Sequence, residues 1–312
     1  MSATYLLGEM VSATIKEAAI NSAINDCMNK ELQRDHMTPL ETSVCIENNV
    51  RCDRHWRSTW DFNFALNKVY LRDLPAVKSL FQTEVGKSFL VVGAGPSVKE
   101  NYSNIKYAQE KGIIVIAVDR VYDSLKDNNI SPDYTISVDC GPSVESRFMQ
   151  TAECSDKFVL MACQEPMLYK RLVDNRAQIW SFLPLAPFSK HWQRLYRSDR
   201  FARHFYGLRV HSVVSGSAVD LALWMGASEI YTIGCELSWE KFEDIAPDYM
   251  PLEPAKVKLS DGREIWTICA FMNAALCMAY YPSMFPNVRF YDLSNGLAQG
   301  WTLANFKSFE EV

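Results

Sequence analysis

The sequence lacks the marks of several large protein classes. Its nine cysteines, an odd number, are scattered without a single CxxC pair, which argues against a disulfide framework or a paired-cysteine metal or redox motif. His36, Cys45, Cys52 and His55 fall at no standard zinc-ligand spacing, so no metal site is expected. No apolar run reaches the roughly 18 residues of a membrane-spanning helix, and no signal-peptide pattern opens the chain. The expectation is a cytoplasmic protein with reduced thiols and no membrane span. An excess of basic charge is also missing. Lys and Arg number 32 against 37 Asp and Glu, a net charge of -5, which argues against a generic nucleic-acid coat but not against a local basic patch. No glycine lies between Gly8 and Gly86. Residues 1–80 are therefore read as a helical and irregular N-terminal extension, with Trp56, Trp60, Phe62 and Phe64 packing on the rest or walling a site.

What is present is a core. Hydrophobic residues at 48% and aromatics at 12% over 312 residues suffice for one large α/β domain, assigned to residues 81–312. Its centre is GKSFLVVGAGPSVKE, residues 86–100. Phe89-Leu90-Val91-Val92 reads as a strand buried on both faces, and it breaks at once into Gly93-Ala94-Gly95-Pro96-Ser97. Such a turn lets backbone approach a ligand closely and presents bare N–H groups to phosphate. Gly93, Gly95, Pro96 and Ser97 are thus candidate nucleotide contacts.

Strands and helices then alternate. Val98 to Lys111 and Val121 to Asn128 read as helices; Ile113–Val118 and Tyr134–Val138 read as strands ending at Asp119 and Asp139. Further strands are expected at Phe158–Ala162, Gln178–Phe182, Glu229–Gly234 and Val288–Asp292, and an apolar helix at Trp266–Tyr281. Short crossovers between buried strands imply a Rossmann-like, mostly parallel sheet with helices on both faces. Ligands of such sheets collect beyond the carboxyl ends of the strands, where Gly93–Ser97, Asp119, Asp139 and Glu236 all fall. Asp119 and Asp139 would serve equally as helix caps. Ser215-Gly216-Ser217, opening a helix, is a second candidate anion cradle. Residues 184–209 interrupt the sheet pattern with Lys190, Arg194, Arg197, Arg200 and Arg203 near helical spacing. They read as a basic, aromatic lid holding a phosphorylated donor through Arg194 and Arg197, or as a solvated face.

In combination these motifs resemble a known family. GAGPS after a strand, VD after the next, SPDYTISVD, SGSAVDLALWMGASEIYTIGCEL and FYDLSNG recur in the same order in the motility accessory factor proteins. Those are grouped with the 6-hydroxymethylpterin diphosphokinase-like domain. Ser215 to Gly234 is also similar to bacterial sialyltransferases that use a CMP-activated sugar. The resemblance spans about residues 86–300 and implies an activated nucleotide held by Gly93, Gly95, Pro96 and Ser97, with Ser215 and Gly216 as a second contact. It implies either of two activities. One is sugar transfer from a nucleotide donor to an acceptor hydroxyl on a glycan, a protein or a nucleic acid, with Asp139, Glu236 or His211 as base and no metal required. The other is ATP-dependent diphosphokinase chemistry with Mg²⁺ on Asp119 and Asp139. The diphosphokinases' later histidine motif has no counterpart here, and no histidine follows His211 to match the sialyltransferases' catalytic one. An oligomer is compatible with either.

Overall fold

A computed structural model describes residues 39–141, 144–185, 189–210, 213–259, 262–294, 296–297, 301–304 and 306. The first described element, α1 (Pro39–Leu71), is a 33-residue helix. Proline stands at its first position, where no N–H is needed, and neither glycine nor proline interrupts its interior. Asn63, Phe64, Asn67 and Leu71 form its buried stripe, one face at helical spacing.

The sheet follows. Its strands are β1 (Ser88–Val92), β2 (Ile114–Val118), β3 (Tyr134–Ser137), β4 (Lys157–Met161), β5 (Gln178–Leu185), β6 (Tyr206–Arg209), β7 (Glu229–Ile233), β10 (Arg289–Asp292) and β11 (Thr302–Leu303). They pair in the order β11-β10-β7-β1-β2-β3-β4-β5-β6, every neighbour parallel. Phe89 to Val92 are fully buried, as central strands covered on both faces require. The crossover helices are α2 (Tyr102–Glu110), α3 (Asp119–Asp127), α5 (Pro166–Asp174) and α8 (Val214–Met225), with the one-turn α4 (Val144–Arg147) before β4. The chain order reverses beside β1, which has β2 on one side and β7 on the other. That is the topological switch point.

Three stretches depart from the sequence expectation. Residues 184–209 do belong to the sheet at both ends, because β5 runs on to Leu185 and Tyr206–Arg209 pairs with it across a register shift. Between them lie α6 (Lys190–Ser198) and α7 (Arg200–His204). Arg209, a charge at the end of β6, is buried against Asp220. Secondly, Trp266 and Thr267 are not helical. They end β9 (Glu264–Thr267), which pairs antiparallel with β8 (Ala255–Lys258) and exchanges two backbone bonds with Trp239. The helix begins only at α9 (Cys269–Ala279), and the short α10 (Tyr281–Met284) follows it. Finally, Val98 lies in a 3-10 turn, Pro96–Val98, ahead of α2. Among the described residues no helix is long and apolar enough to cross a membrane.

Candidate functional site

Register brings the strand ends into line. Val92 faces Ile233 of β7 on one side and Ala117 of β2 on the other, so Gly93 lies beside Gly234. The two backbones nearly touch: a Cβ on Gly93 would fall 2.2 Å from the Gly234 carbonyl oxygen and 2.9 Å from Cys235 Sγ. Only glycine fits there.

Beyond it, the loop's hydrogen bonds turn inward. Gly93 N–H donates to the Ile233 carbonyl (2.7 Å) and Gly95 N–H to the Gly234 carbonyl (2.8 Å). Ser97 N–H donates to Glu236 Oε1 (2.9 Å), and Ser97 Oγ accepts the Gly234 N–H (3.0 Å). Three amides that the sequence offers to phosphate are thus met within the protein. Glu236 sits against Gly95, where a Cβ would lie 1.7 Å from Oε2. That second oxygen is buried and meets no hydrogen-bond partner.

The N-terminus of α8 reaches the same place. Its N-cap, Val213, has extended backbone and supplies no side-chain cap, so the first-turn amides keep their partial positive charge. The Cys235 thiol donates to the Ile233 carbonyl (Sγ to O 3.6 Å), and its sulfur lies beside Gly93 with Ser215 adjacent. Burial pushes the Cys235 thiol well above its ordinary range, so it stays protonated. Ser217 is fully buried, and its hydroxyl finds no partner.

On the other side of β1 is a polar cluster. Asp119, directly after β2, is 2% exposed. Its Oδ1 accepts the Arg120 N–H (2.8 Å), and its Oδ2 accepts the Ser137 hydroxyl, which itself accepts Gln164 Nε2 (2.6 Å). Burial, aided by nearby Asp139, pushes the Asp119 carboxyl up to about 6 against the lowering pull of Ser137. Asp139 is half-buried, with Oδ1 accepting the Gly141 N–H (3.0 Å). Helix α1 braces these ends. Asn63 Nδ2 donates to the Cys140 and Cys163 carbonyls (3.1 Å each), and Asn67 Nδ2 donates to Ala162 (3.1 Å) and Gln164 (2.7 Å). Burial raises the Cys140 thiol to about 12, against a lowering contribution from nearby Trp60.

Gly93, Gly95, Pro96, Ser97, Ser215, Gly216, Ser217 and Glu236 therefore gather around the ends of β1 and β7. Asp119 and Asp139 follow at β2 and β3. From β7 to β3 is three strand spacings, roughly 14 Å. Among the described residues, no hydrogen bond or ion pair ties Arg194 or Arg197 to this group. They are exposed on α6 and, with Gln193 and Ser198, line a shallow surface depression of about 390 Å³. His211 lies outside the described residues. Sequence reasoning passed over Arg120, whose one visible signal is its place directly after a strand-end aspartate. It also passed over Asn63 and Asn67, polar residues on the apolar stripe of a helix.

The family described as 6-hydroxymethylpterin diphosphokinase MptE-like matches residues 62–242, a span that reaches back into α1. No curated protein matches the chain. Among solved structures it is similar to the MAf glycosyltransferase from Magnetospirillum magneticum AMB-1, with a TM-score of 0.54 and 17% sequence identity. That likeness covers 73% of this chain and 35% of the other, so the chain spans about a third of that protein's length. At this identity the likeness is one of fold.

Proposed function

The chain belongs to the 6-hydroxymethylpterin diphosphokinase MptE-like family, and from that premise we propose that it is a glycosyltransferase moving a sugar from a nucleotide donor, of the CMP-linked type, to an acceptor hydroxyl. One observation carries the reading. The glycine loop after β1, the end of β7 and the uncapped N-terminus of α8 converge at the switch point through the Gly93–Cys235–Ser215 contacts. The fold shared with the MAf glycosyltransferase supports it.

In this reading the bond from sugar to phosphate breaks, and its electron pair leaves on the phosphate oxygen. The new bond forms from the acceptor oxygen, whose proton passes to a base. The amides of Ser215 to Ser217 face the leaving phosphate with the positive end of the α8 dipole. Asp139 is the better-placed base, because it is half-open to solvent and, among the described residues, holds a hydrogen bond through Oδ1 alone. Glu236 holds the glycine loop instead, with one oxygen on Ser97 N–H and the other shut away. Phosphate charge is met by amides and side chains, and no metal is required.

The second reading, Mg²⁺-dependent pyrophosphate transfer from ATP, is favoured by the family description. It asks Asp119 and Asp139 to hold the cation. Asp119 already accepts Ser137 and Arg120 and keeps its proton up to about pH 6, so it would have to give up those partners to ligate a hard cation.

Thermal-shift titration with CMP, CDP, UDP, GDP and ATP, each with and without Mg²⁺, tests both. A nucleotide at 100 times its Kd stabilises by about 2.7 kcal/mol. Stabilisation by a pyrimidine nucleotide without metal is expected; stabilisation by ATP only with Mg²⁺ selects the second reading, and no response to any of them sinks both. Ser217→Ala locates the site: removing a buried hydroxyl that has no partner should leave Tm unchanged while weakening nucleotide binding.

A further inference from the structure

The inward-turned glycine loop leaves a charge to be met. Of the cations near the sheet, Arg209 is paired with Asp220, Arg289 with Glu229, and Lys126 with Asp156. Arg120 is different. It follows Asp119 at the end of β2, and since Val92 faces Ala117, Arg120 and Gly95 are each the third residue beyond that pair on adjoining strands. Its guanidinium lies against two rings, with Cζ 5.2 Å from the centroid of Phe148 and 5.5 Å from that of Tyr249. Among the described residues no carboxylate forms an ion pair with it. Asp119 accepts only its backbone N–H, and that carboxylate's Oδ2 is turned to Ser137. A guanidinium held against aromatic rings, with no carboxylate on it, has N–H groups to offer a planar or tetrahedral oxyanion. A second guanidinium, that of Arg147, stands 5.5 Å from the same Phe148 ring.

We propose that Arg120 clamps a phosphate oxyanion of the donor nucleotide, taking the place that the sequence assigned to Arg194 and Arg197. The inference rests on the nucleotide reading above. Tyr249 belongs to the Pro247–Leu252 turn between β7 and β8 and is packed on Trp239 and Phe271. This segment therefore lies over the strand ends through the same ring that flattens Arg120. Bidentate recognition of phosphate is the task for which an arginine held in this way is suited and a lysine is not.

The test measures Kd by calorimetry for CMP, or for whichever nucleotide stabilises the wild type, and for cytidine, with wild type, Arg120→Gln, Arg120→Lys, Tyr249→Ala and, as a charge-matched control, the exposed Lys170→Gln. Arg120→Gln should weaken the nucleotide about 10- to 100-fold and leave cytidine binding unchanged. Arg120→Lys should recover part of the loss, Tyr249→Ala should cost severalfold, and Lys170→Gln should change nothing. If Arg120→Gln lowers Tm by more than a few degrees, the comparison passes to Arg120→Lys, for which a severalfold loss is still expected. Nucleotide binding that survives these substitutions, or falls equally with Lys170→Gln, overturns the inference alone. A wild-type protein that binds no nucleotide overturns the parent reading, and this one with it.

Discussion

Placing a methyl group on Gly95 tests the geometry of the glycine loop most directly. The added Cβ in Gly95→Ala would lie 1.7 Å from Glu236 Oε2, 2.7 Å from its Cδ and 2.9 Å from the Gly234 carbonyl oxygen. The carboxylate is the end of a side chain and can move; the carbonyl is backbone and cannot move far. Displacing Glu236 breaks its hydrogen bond with Ser97 N–H, a charge-assisted bond of about 1.5–3 kcal/mol. The expected destabilisation is thus about 2–3 kcal/mol, read as a lower urea midpoint at unchanged m-value. Adding Glu236→Ala removes the clashing atoms, so the double variant should recover about 1–2 kcal/mol relative to additivity. Gly93→Ala offers a contrast, because its methyl would meet backbone at 2.2 Å; a loss above about 4 kcal/mol is expected, with no rescue by Glu236→Ala. If Gly95→Ala were as stable as wild type, or its effect added simply to that of Glu236→Ala, the inward-held carboxylate would be refuted.

Asp119 makes stability pH-dependent in a stated direction. Its native carboxyl is raised from 3.8 to about 6, so the native state binds the proton more tightly. The associated stability is fully present below pH 3.8 and lost as pH rises through 6, by at most about 3 kcal/mol. Asp119→Asn should remove that loss, so urea midpoints at pH 4 and pH 8 should differ less in the variant; equal slopes would show the carboxyl to be ordinary. Asp220→Ala leaves Arg209, 2% exposed, without the carboxylate that accepts its Nε at 2.6 Å. A loss of about 3–5 kcal/mol is expected, and one below about 1 kcal/mol would refute the pairing. Asn67→Ala strands the carbonyls of Ala162 and Gln164, which should cost about 2–4 kcal/mol; a neutral result by the same denaturation would mean α1 does not brace the strand ends.

The succession of strands along the chain was legible because it rests on local physics. A strand covered on both faces is a continuous apolar run, and Phe89–Val92, Ile114–Val118 and Phe158–Met161 all read as one. What escaped depends on partners far along the chain. Tyr206–Arg209 carries a charge in sheet, and Asp220 is the carboxylate that pairs with it. Trp266 and Thr267 sit among apolar residues that suit a helix, yet their backbone is drawn into β structure by Trp239 and by β8. The periodic arginines of residues 190–203 were read as a lid or as a solvated face; α6 packs through ring contacts, Trp192 and His191 against Trp60, and Arg194 and Arg197 are exposed.

The glycine loop is the instructive case, since the same glycines answer to two causes. Glycines after a strand suggest a backbone opened for a ligand. In this fold each of the two is required by the protein itself, Gly93 by the Gly234 carbonyl and Gly95 by the Glu236 carboxylate. A carboxylate on the Ser97 amide is chemically what a phosphate oxygen would be there: an oxyanion accepting an N–H. Two anions would not share that donor without a cation between them. A nucleotide phosphate at the switch point must therefore either expel Glu236 or lie outside it, on the side where α8 offers uncapped amides and β2 offers Arg120. Expelling Glu236 would strand the Ser97 amide until phosphate replaced it, whereas lying outside costs no existing bond. The second arrangement keeps every contact in hand, and under the proposed nucleotide reading it gives Arg120, the residue after the strand-end aspartate, the charged ligand.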